Sequence, residues 1–260
     1  MAMLSTLKET HYHRVCVFGP PKSGKTEIVG KLSKPYNLHW LDLENGHLTL
    51  TKLQQDWQAR INLIRIRDTR TLPIATETVM KVLTGPTKIC WEHGKVNCPI
   101  CMKNTPENFD TINVSEFGPK DILVIDSLTQ LSNSIMAVVT KGKPDDYKFE
   151  WDDYRAQGTR LDLILSLIQQ ANFNCVCITH EAEVELDDKS KKLVPVAGTA
   201  NFSRNTAKYF DHVVYCGKVG TKHIAASSTS YKPNILTGSR SDAAVEKSTE
   251  PSLFEIFGVS

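Results

Sequence analysis

Apolar residues fall in short runs along the chain, and most runs end at a glycine, a proline or an acid. Arg14-Val15-Cys16-Val17-Phe18 is the first, stopped by Gly19 and two prolines, and it reads as a strand. A helical stretch follows from about Lys25 to Leu32. Leu38 to Leu43 is a second strand, and Ile61 to Ile66, roughly alternating, a third. Ala75 to Leu83 has a helical pattern. Ile122–Ile125 is uniformly apolar, as a strand buried on both faces requires. Leu161, Ile164, Leu165 and Ile168 share one helical face, which predicts an amphipathic helix over about 154–171. Cys175–Ile178 is the next strand. From His212 the pattern changes to short runs at 212–217, 222–227 and 234–236, broken by Gly and Ser. Strands alternating with helices, then a β-rich tail, predict an α/β fold with a mainly parallel sheet and C-terminal antiparallel strands.

Two long connections, 86–119 and 182–205, have no clear period. The first is rich in turn formers, the second charged and then Gly/Asn/Ser-rich. Connections of that length in a compact domain are usually functional or disordered. Residues 238–250 read as a surface loop, and Leu253 to Phe257 as an apolar segment packing back on the body.

At 260 residues and 40% hydrophobic, the chain is long enough for one large domain or a core with a small insertion. The 31 basic residues nearly balance the 29 acidic ones. That excludes a histone-like polycation, so any nucleic-acid contact must come from local patches. No apolar run approaches the ~20 residues that span a bilayer, so no membrane partner is expected. Met1 to Arg14 has no apolar core ahead of a cleavage site, which argues against secretion. Only thirteen residues precede the first strand, leaving little room for a separate polymerisation domain. Of seven cysteines, Cys16, Cys175, Cys177 and Cys216 lie in apolar runs and read as core thiols, which fits a reducing, cytoplasmic setting.

The chemistry is concentrated in four places. Gly19-Pro20-Pro21-Lys22-Ser23-Gly24-Lys25-Thr26 satisfies G-x-x-x-x-G-K-[ST] between a strand and a helix. Its glycines turn backbone N–H groups inward to cradle a phosphate, and the helix directs its positive end at the anion. Lys25 reaches the outer phosphate oxygens and the Thr26 hydroxyl serves Mg²⁺. Asp126, ending its strand, supplies a second magnesium contact; the bland alternative is a cap on the following helix. Ser127 occupies the place where many such ATPases carry a base. The expected base is therefore Glu44, just past the end of a neighbouring strand; otherwise it is a solvated loop carboxylate.

The fourth place is Cys90-x2-His93-x4-Cys98-Pro-Ile-Cys101, four soft or borderline ligands in twelve residues. A closed tetrahedral Zn²⁺ site fits that set, with a redox Cys98/Cys101 pair as the competitor. The expected zinc-binding insertion spans 86–119, and its lysines Lys88, Lys95 and Lys103 leave room for a nucleic-acid contact.

Gly19 to Thr26, Leu41-Asp42-Leu43-Glu44 and Val124-Ile125-Asp126-Ser127-Leu128 together resemble the core of the RecA/RadA recombinases. Asp42 to Gly46, the Trp151 stretch and Thr179-His180-Glu181 resemble small phage-encoded RecA-like ATPases, the minimal single-strand annealing proteins. The likeness covers about residues 14–217. It implies a RecA-like P-loop fold over 1–260 and ATP with Mg²⁺ at the interfaces of a homo-oligomer. It further implies single-stranded DNA as partner, alongside replication or recombination proteins in a host cytoplasm. It puts Glu44 in the role of base, and His180 where the family carries a γ-phosphate sensor, usually glutamine; a satisfied strand-end histidine is the alternative. Two DNA-facing loops are implied, Val139–Phe149 with Lys141, Lys143 and Lys148, and Ala182–Asn205 with Lys189, Lys191, Lys192, Phe202 and Arg204. Their acids make solvated mixed-charge loops the competing reading. Arg204 or Lys208 is the implied reach to a neighbour's γ-phosphate. The expected activity is DNA-stimulated ATP hydrolysis in recombination, annealing or repair. Its rivals are an ATP-gated, zinc-bearing adaptor in replication or packaging, a P-loop small-molecule kinase, and a hexameric helicase motor.

Overall fold

Alternate residues of each strand feed two different cores. Val15 and Val17 point to one face of the sheet, Cys16 and Phe18 to the other, and all four are fully buried. The computed structural model describes residues 12–228, 231–240 and 252–258. The chain opens with β1 (Arg14–Phe18), α1 (Lys25–Gly30), β2 (Asn37–Asp42), α2 (Gln55–Gln58), β3 (Ile61–Arg65) and α3 (Ala75–Thr84). A small excursion follows, β4 (Thr87–Cys90), α4 (Pro99–Asn104) and β5 (Phe109–Ile112), before β6 (Asp121–Asp126). Then come α5 (Leu128–Val139), α6 (Trp151–Gln169), β7 (Asn174–Thr179), β8 (Glu181–Glu185), β9 (Lys191–Pro195) and α7 (Ala200–Asn205). β10 (His212–Val219), β11 (Lys222–Ala226) and β12 (Gly238–Ser239) complete the set.

The sheet runs β11-β10-β1-β7-β6-β2-β3, with β12 pairing β10. From β10 to β3 every pairing is parallel; β11 and β12 run antiparallel to β10. This is the expected mainly parallel sheet with an antiparallel margin. One core packs α3, α5 and α6 against Cys16, Phe18, Leu41, Leu123, Ile125, Cys175 and Cys177. The other packs Ile28, Val29 and Leu32 against Val17, Trp40, Val124, Val176 and Ile178. Leu253, Ile256 and Phe257 return to this second face, where the Tyr36 hydroxyl donates to the Phe257 carbonyl at 2.9 Å. The four expected core thiols are all buried.

Several expectations need correction. Residues 86–119 are not irregular: Thr87–Cys90 pairs antiparallel with Phe109–Ile112, and Pro99 starts a helix at its first turn. Within 182–205, β8 and β9 form a hairpin carrying a Lys191–Glu183 pair at 2.7 Å, followed by α7. The long helix begins at Trp151 rather than 154, because the Asp153 carboxylate accepts from the Glu150 N–H at 2.9 Å and fixes the first turn. No strand forms over 234–236; Ile235 makes one isolated bridge to Leu193, and the pairing strand is β12. Of the expected loop 238–250, residues 241–250 lie outside the described residues.

Candidate active site

Register puts the site at one edge of the sheet. Asp42 pairs with Asp126, Asp126 with Ile178, and Val17 with Ile178, so the ends of β2, β6, β7 and β1 lie in a row. The phosphate loop leaves β1 two residues later, at the carboxyl edge where open α/β sheets bind ligands. Gly19 is required there, since a Cβ would stand 1.9 Å from the Cys216 carbonyl oxygen. Gly24 takes a left-handed φ of 92° immediately before α1.

Lys25 is buried in this loop and donates to the carbonyls of Gly19 at 2.9 Å and Pro20 at 2.8 Å. Burial pulls its pKa below the ordinary lysine value, against the opposing field of Cys216, Asp126 and Glu44. The Ser23 hydroxyl is buried without a partner in the same loop. A cavity of about 220 Å³ opens over these residues, lined by Pro21 to Thr26, Glu44, Asp126 and His180 among others. A buried ammonium, an orphaned hydroxyl and a cavity at a helix N-terminus fit a polyphosphate.

The Thr26 hydroxyl donates to Asp126 Oδ2 at 3.2 Å, a hydroxyl–carboxylate pair suited to a hydrated Mg²⁺. Asp126 is joined to Ser127 by a cis peptide bond. It does not cap the following helix; that cap is Ser127, whose Oγ accepts from the Gln130 N–H. Burial, then the nearby Asp42 and Glu44 carboxylates, push the Asp126 pKa up to about 7. Crowded acids without enough cations invite a divalent ion. A Cβ on Gly46 would approach Asp126 Oδ2 to 3.4 Å, so the turn after β2 closes over this spot.

Asp42 builds that turn. Its fully buried carboxylate accepts from the N–H groups of Glu44, Gly46 and His47, and contacts the His47 ring at 2.9 Å. Glu44 is thereby held at the cavity, its side chain 29% exposed. The Ser127 hydroxyl donates to its Oε1, and His180 Nε2 lies 3.4 Å from its Oε2. His180 follows β7, its N–H donates to the Thr129 hydroxyl at 3.2 Å, and its Nδ1 is buried without a partner. Sequence reasoning brought Lys25, Thr26, Glu44, Asp126 and His180 into one cavity. It missed Asp42, Ser127 as the contact of Glu44, and His223, which reaches the loop from β11. His223 Nδ1 donates to the Ser23 carbonyl at 2.8 Å, and its ring packs where a Gly24 Cβ would come within 3.0 Å.

The expected DNA loops are more self-engaged than their composition suggests. Lys143 sits 4.9 Å over the Tyr147 ring, and Tyr147, Phe149 and Tyr154 pack edge to face. Arg204 bonds the Glu185 carbonyl and pairs with Asp187 at 3.6 Å. Phe202 stacks on Tyr209, while Lys208 covers that ring from 4.6 Å and lies 3.9 Å from Asp162. A larger groove of about 820 Å³ between α6 and α7, lined by Trp151, Tyr154, Phe202 and Tyr209 among others, contains no residue of the phosphate cavity.

The cysteine–histidine set is assembled as its spacing suggests. Cys90 ends β4, Cys98 precedes α4, Cys101 lies in its first turn, and the three thiols are buried. His93 Nδ1 is 3.8, 3.8 and 3.3 Å from the sulfurs of Cys90, Cys98 and Cys101. Among the described residues this is the only such group of possible metal ligands. Among them, too, no helix is long and apolar enough to cross a membrane.

The chain resembles, at 14% identity and a TM-score of 0.45, a structure described as a prototypical ATPase from the type III secretion system of pathogenic bacteria. The alignment covers 79% of this chain and 52% of that one, so this chain spans about half of that protein's length. No curated protein sequence matches. The AAA domain family (AAA_24) matches residues 11–241, a span that holds the whole phosphate cavity and the cysteine–histidine set. With its phosphate loop and acids arranged as described, the chain belongs to the AAA domain family and is a P-loop ATPase.

Proposed function

We propose that this chain is a Mg²⁺-dependent, RecA-like ATPase that binds single-stranded DNA and acts in recombination, annealing or repair of a phage genome. Residues 1–260 form the ATPase domain and 86–119 a zinc-binding insertion within it, with Cys90, His93, Cys98 and Cys101 as ligands. The protein works in the host cytoplasm as a homo-oligomer with ATP at subunit interfaces, beside replication or recombination proteins.

The observation that carries the reading is the placing of Glu44. It sits at the cavity edge between the Ser127 hydroxyl and His180, on a turn organised by Asp42. Lys25 and the loop amides bind and orient the phosphates, while Thr26 and Asp126 hold the magnesium. A magnesium ion held there would supply positive charge to offset the charge on the phosphates. Glu44 aligns a water and takes its proton, and Ser127 fixes the carboxylate rotamer for that task. His180, touching Glu44 on one side and leading into β8 on the other, couples the nucleotide to the 182–205 segment that faces DNA. Lys141, Lys143, Lys148, Lys189, Lys191 and Lys192 follow the phosphates of an unpaired strand, with Arg204 or Lys208 reaching a neighbour's nucleotide.

Steady-state ATP hydrolysis with and without single-stranded DNA tests this, with Glu44→Gln alongside. The expected result is strong stimulation by single strands, with turnover lowered about 10²- to 10⁴-fold in the variant while ATP still binds. Slow turnover indifferent to DNA would favour an ATP-gated adaptor or a kinase. Stimulated turnover surviving in the variant would keep the class and remove Glu44 as base.

A further inference from the structure

The excursion between α3 and β6 contributes nothing to the phosphate cavity, yet it is tied to the scaffold on which the cavity stands. Its centre is the cysteine–histidine set. An ion bonded to sulfur at ~2.3 Å and to nitrogen at ~2.0–2.1 Å with tetrahedral angles holds each sulfur about 3.5–3.6 Å from the nitrogen. The observed 3.3–3.8 Å between His93 Nδ1 and the three sulfurs brackets that figure. The three thiols form a small buried cluster with Phe109 packed against it, separate from both cores of the sheet. Three S and one N from the protein close the coordination sphere and leave no position for water, so the ion's task is structural.

What it secures follows from the residues beside His93. The His93 carbonyl accepts from the Arg67 N–H at 3.0 Å, and the Gly94 carbonyl from the Thr78 hydroxyl at 3.0 Å. Gly94 has a φ of +68°, and a Cβ there would stand 2.5 Å from the Arg65 carbonyl oxygen. The metal turn is therefore wedged between the end of β3 and α3. The next residue, Asp68, accepts from the Ala75 N–H at 2.8 Å, the Ser134 hydroxyl at 2.9 Å and the Gln130 amide at 3.4 Å. It ties α3 to α5. The Gln130 N–H in turn donates to Ser127 Oγ, the hydroxyl that contacts Glu44.

We propose that Cys90, His93 (through Nδ1), Cys98 and Cys101 hold a closed, non-catalytic zinc ion that pins residues 65–68 at the end of β3, and that α5 and Glu44 take their position from that pin. This rests on the zinc assignment above and adds to it a mechanical link between metal and base.

The test uses the full chain under reducing conditions. Zinc is counted, and hydrogen exchange is compared before and after stripping with a chelator. One zinc per chain is expected, with exchange over residues 64–70 and 127–134 rising at least about tenfold on stripping. The phosphate-loop residues 16–27 should stay within about twofold, and ATP-analogue affinity likewise. No bound metal, with a Cys98–Cys101 disulfide forming on mild oxidation, overturns the zinc assignment and the pin with it. One zinc whose removal leaves 64–70 and 127–134 unchanged overturns the pin alone. If stripping unfolds the chain, Gly94→Ala decides, because its Cβ would collide with the Arg65 carbonyl and part the metal turn from the end of β3 without altering a ligand. The variant should keep its zinc and still exchange faster over 64–70; unchanged exchange there overturns the pin.

Discussion

Asp126 and Asp211 are both buried and stand at opposite edges of the same sheet, yet the protein treats them in opposite ways. Asp126, at the carboxyl end of β6, shares its surroundings with Asp42 and Glu44, and burial with those charges pushes its pKa up to about 7. Asp211, just before β10, is also penalised by burial. There Arg14 outweighs the penalty through its Nε at 2.6 Å and its backbone N–H at 3.0 Å, with Arg240 Nη1 at 3.3 Å. The Asp211 carboxyl is held below the ordinary carboxylate value. Residue type and burial are alike; neighbours decide. The amino edge of the sheet uses a buried acid for cohesion, whereas the carboxyl edge leaves one crowded by other acids, where the proposed magnesium would sit.

The sharpest way to break the comparison is to neutralise each acid in turn. Asp126→Asn should lower magnesium-dependent ATP turnover by about 10³-fold, as loss of a metal contact in a phosphoryl-transfer site does. The same change removes a strained charge, so it should raise stability by about 1–3 kcal/mol in magnesium-free urea titrations. Asp211→Asn should do the reverse. It leaves the Arg14 guanidinium, largely buried, without its anion, and should cost about 2–4 kcal/mol while turnover per folded molecule stays within about twofold. Loss of stability in both variants would erase the distinction between the edges.

Acidity sharpens the same contrast. The folded pKa of Asp126 lies above the unfolded value of about 3.9, so its contribution is fully present below about pH 4 and lost as pH rises through about 7. Asp211 has a depressed folded pKa, so its contribution is present above about pH 4 and lost as pH falls through the folded value. The advantage of Asp126→Asn should therefore be largest near pH 8 and vanish by about pH 4. The penalty of Asp211→Asn should be largest near neutrality and shrink in acid. Urea midpoints against wild type check this, for Asp126→Asn at about pH 8 and about pH 4 and for Asp211→Asn at neutrality and well below about pH 4, and pH-independent differences would refute it.

The carboxyl edge was far more legible in the sequence than the amino edge. Gly19 to Thr26 and Cys90 to Cys101 are contiguous, so their chemistry is written in spacing. Glu44, Asp126 and His180 lie at or just past strand ends, and strand ends in a parallel sheet converge. The Arg14–Asp211 pair joins residues almost two hundred positions apart, and no period announces it. A helix after Asp126 was expected, but the extent of α5 was not legible because Ser132 and Ser134 stand on its buried face, bonding the Leu128 carbonyl and Asp68, which breaks the apolar repeat. The hairpin of β8 and β9 escaped because Glu and Lys, read as solvated charge, pair across its strands. In each case a polar residue was placed by a tertiary partner that local pattern does not contain.

His223 is the smallest of these tertiary contributions and the easiest to isolate. Its ring lies against the outer side of the phosphate loop and is not among the residues lining the cavity. A carbonyl only accepts, so Nδ1 carries the proton in the bond to Ser23, and the bond holds the loop in its cradle shape before any phosphate arrives. A neutral hydrogen bond contributes ~0.5–1.5 kcal/mol, so His223→Ala should raise KM for ATP about 3- to 10-fold. Because the chemical step uses other groups, kcat should stay within about twofold. His223→Asn places an amide N–H near the position of Nδ1–H and should recover most of the lost affinity. A general loss of packing would affect both variants alike, so equal KM values for the two, or a fall in kcat at constant KM, would show that His223 does not preorganise the loop.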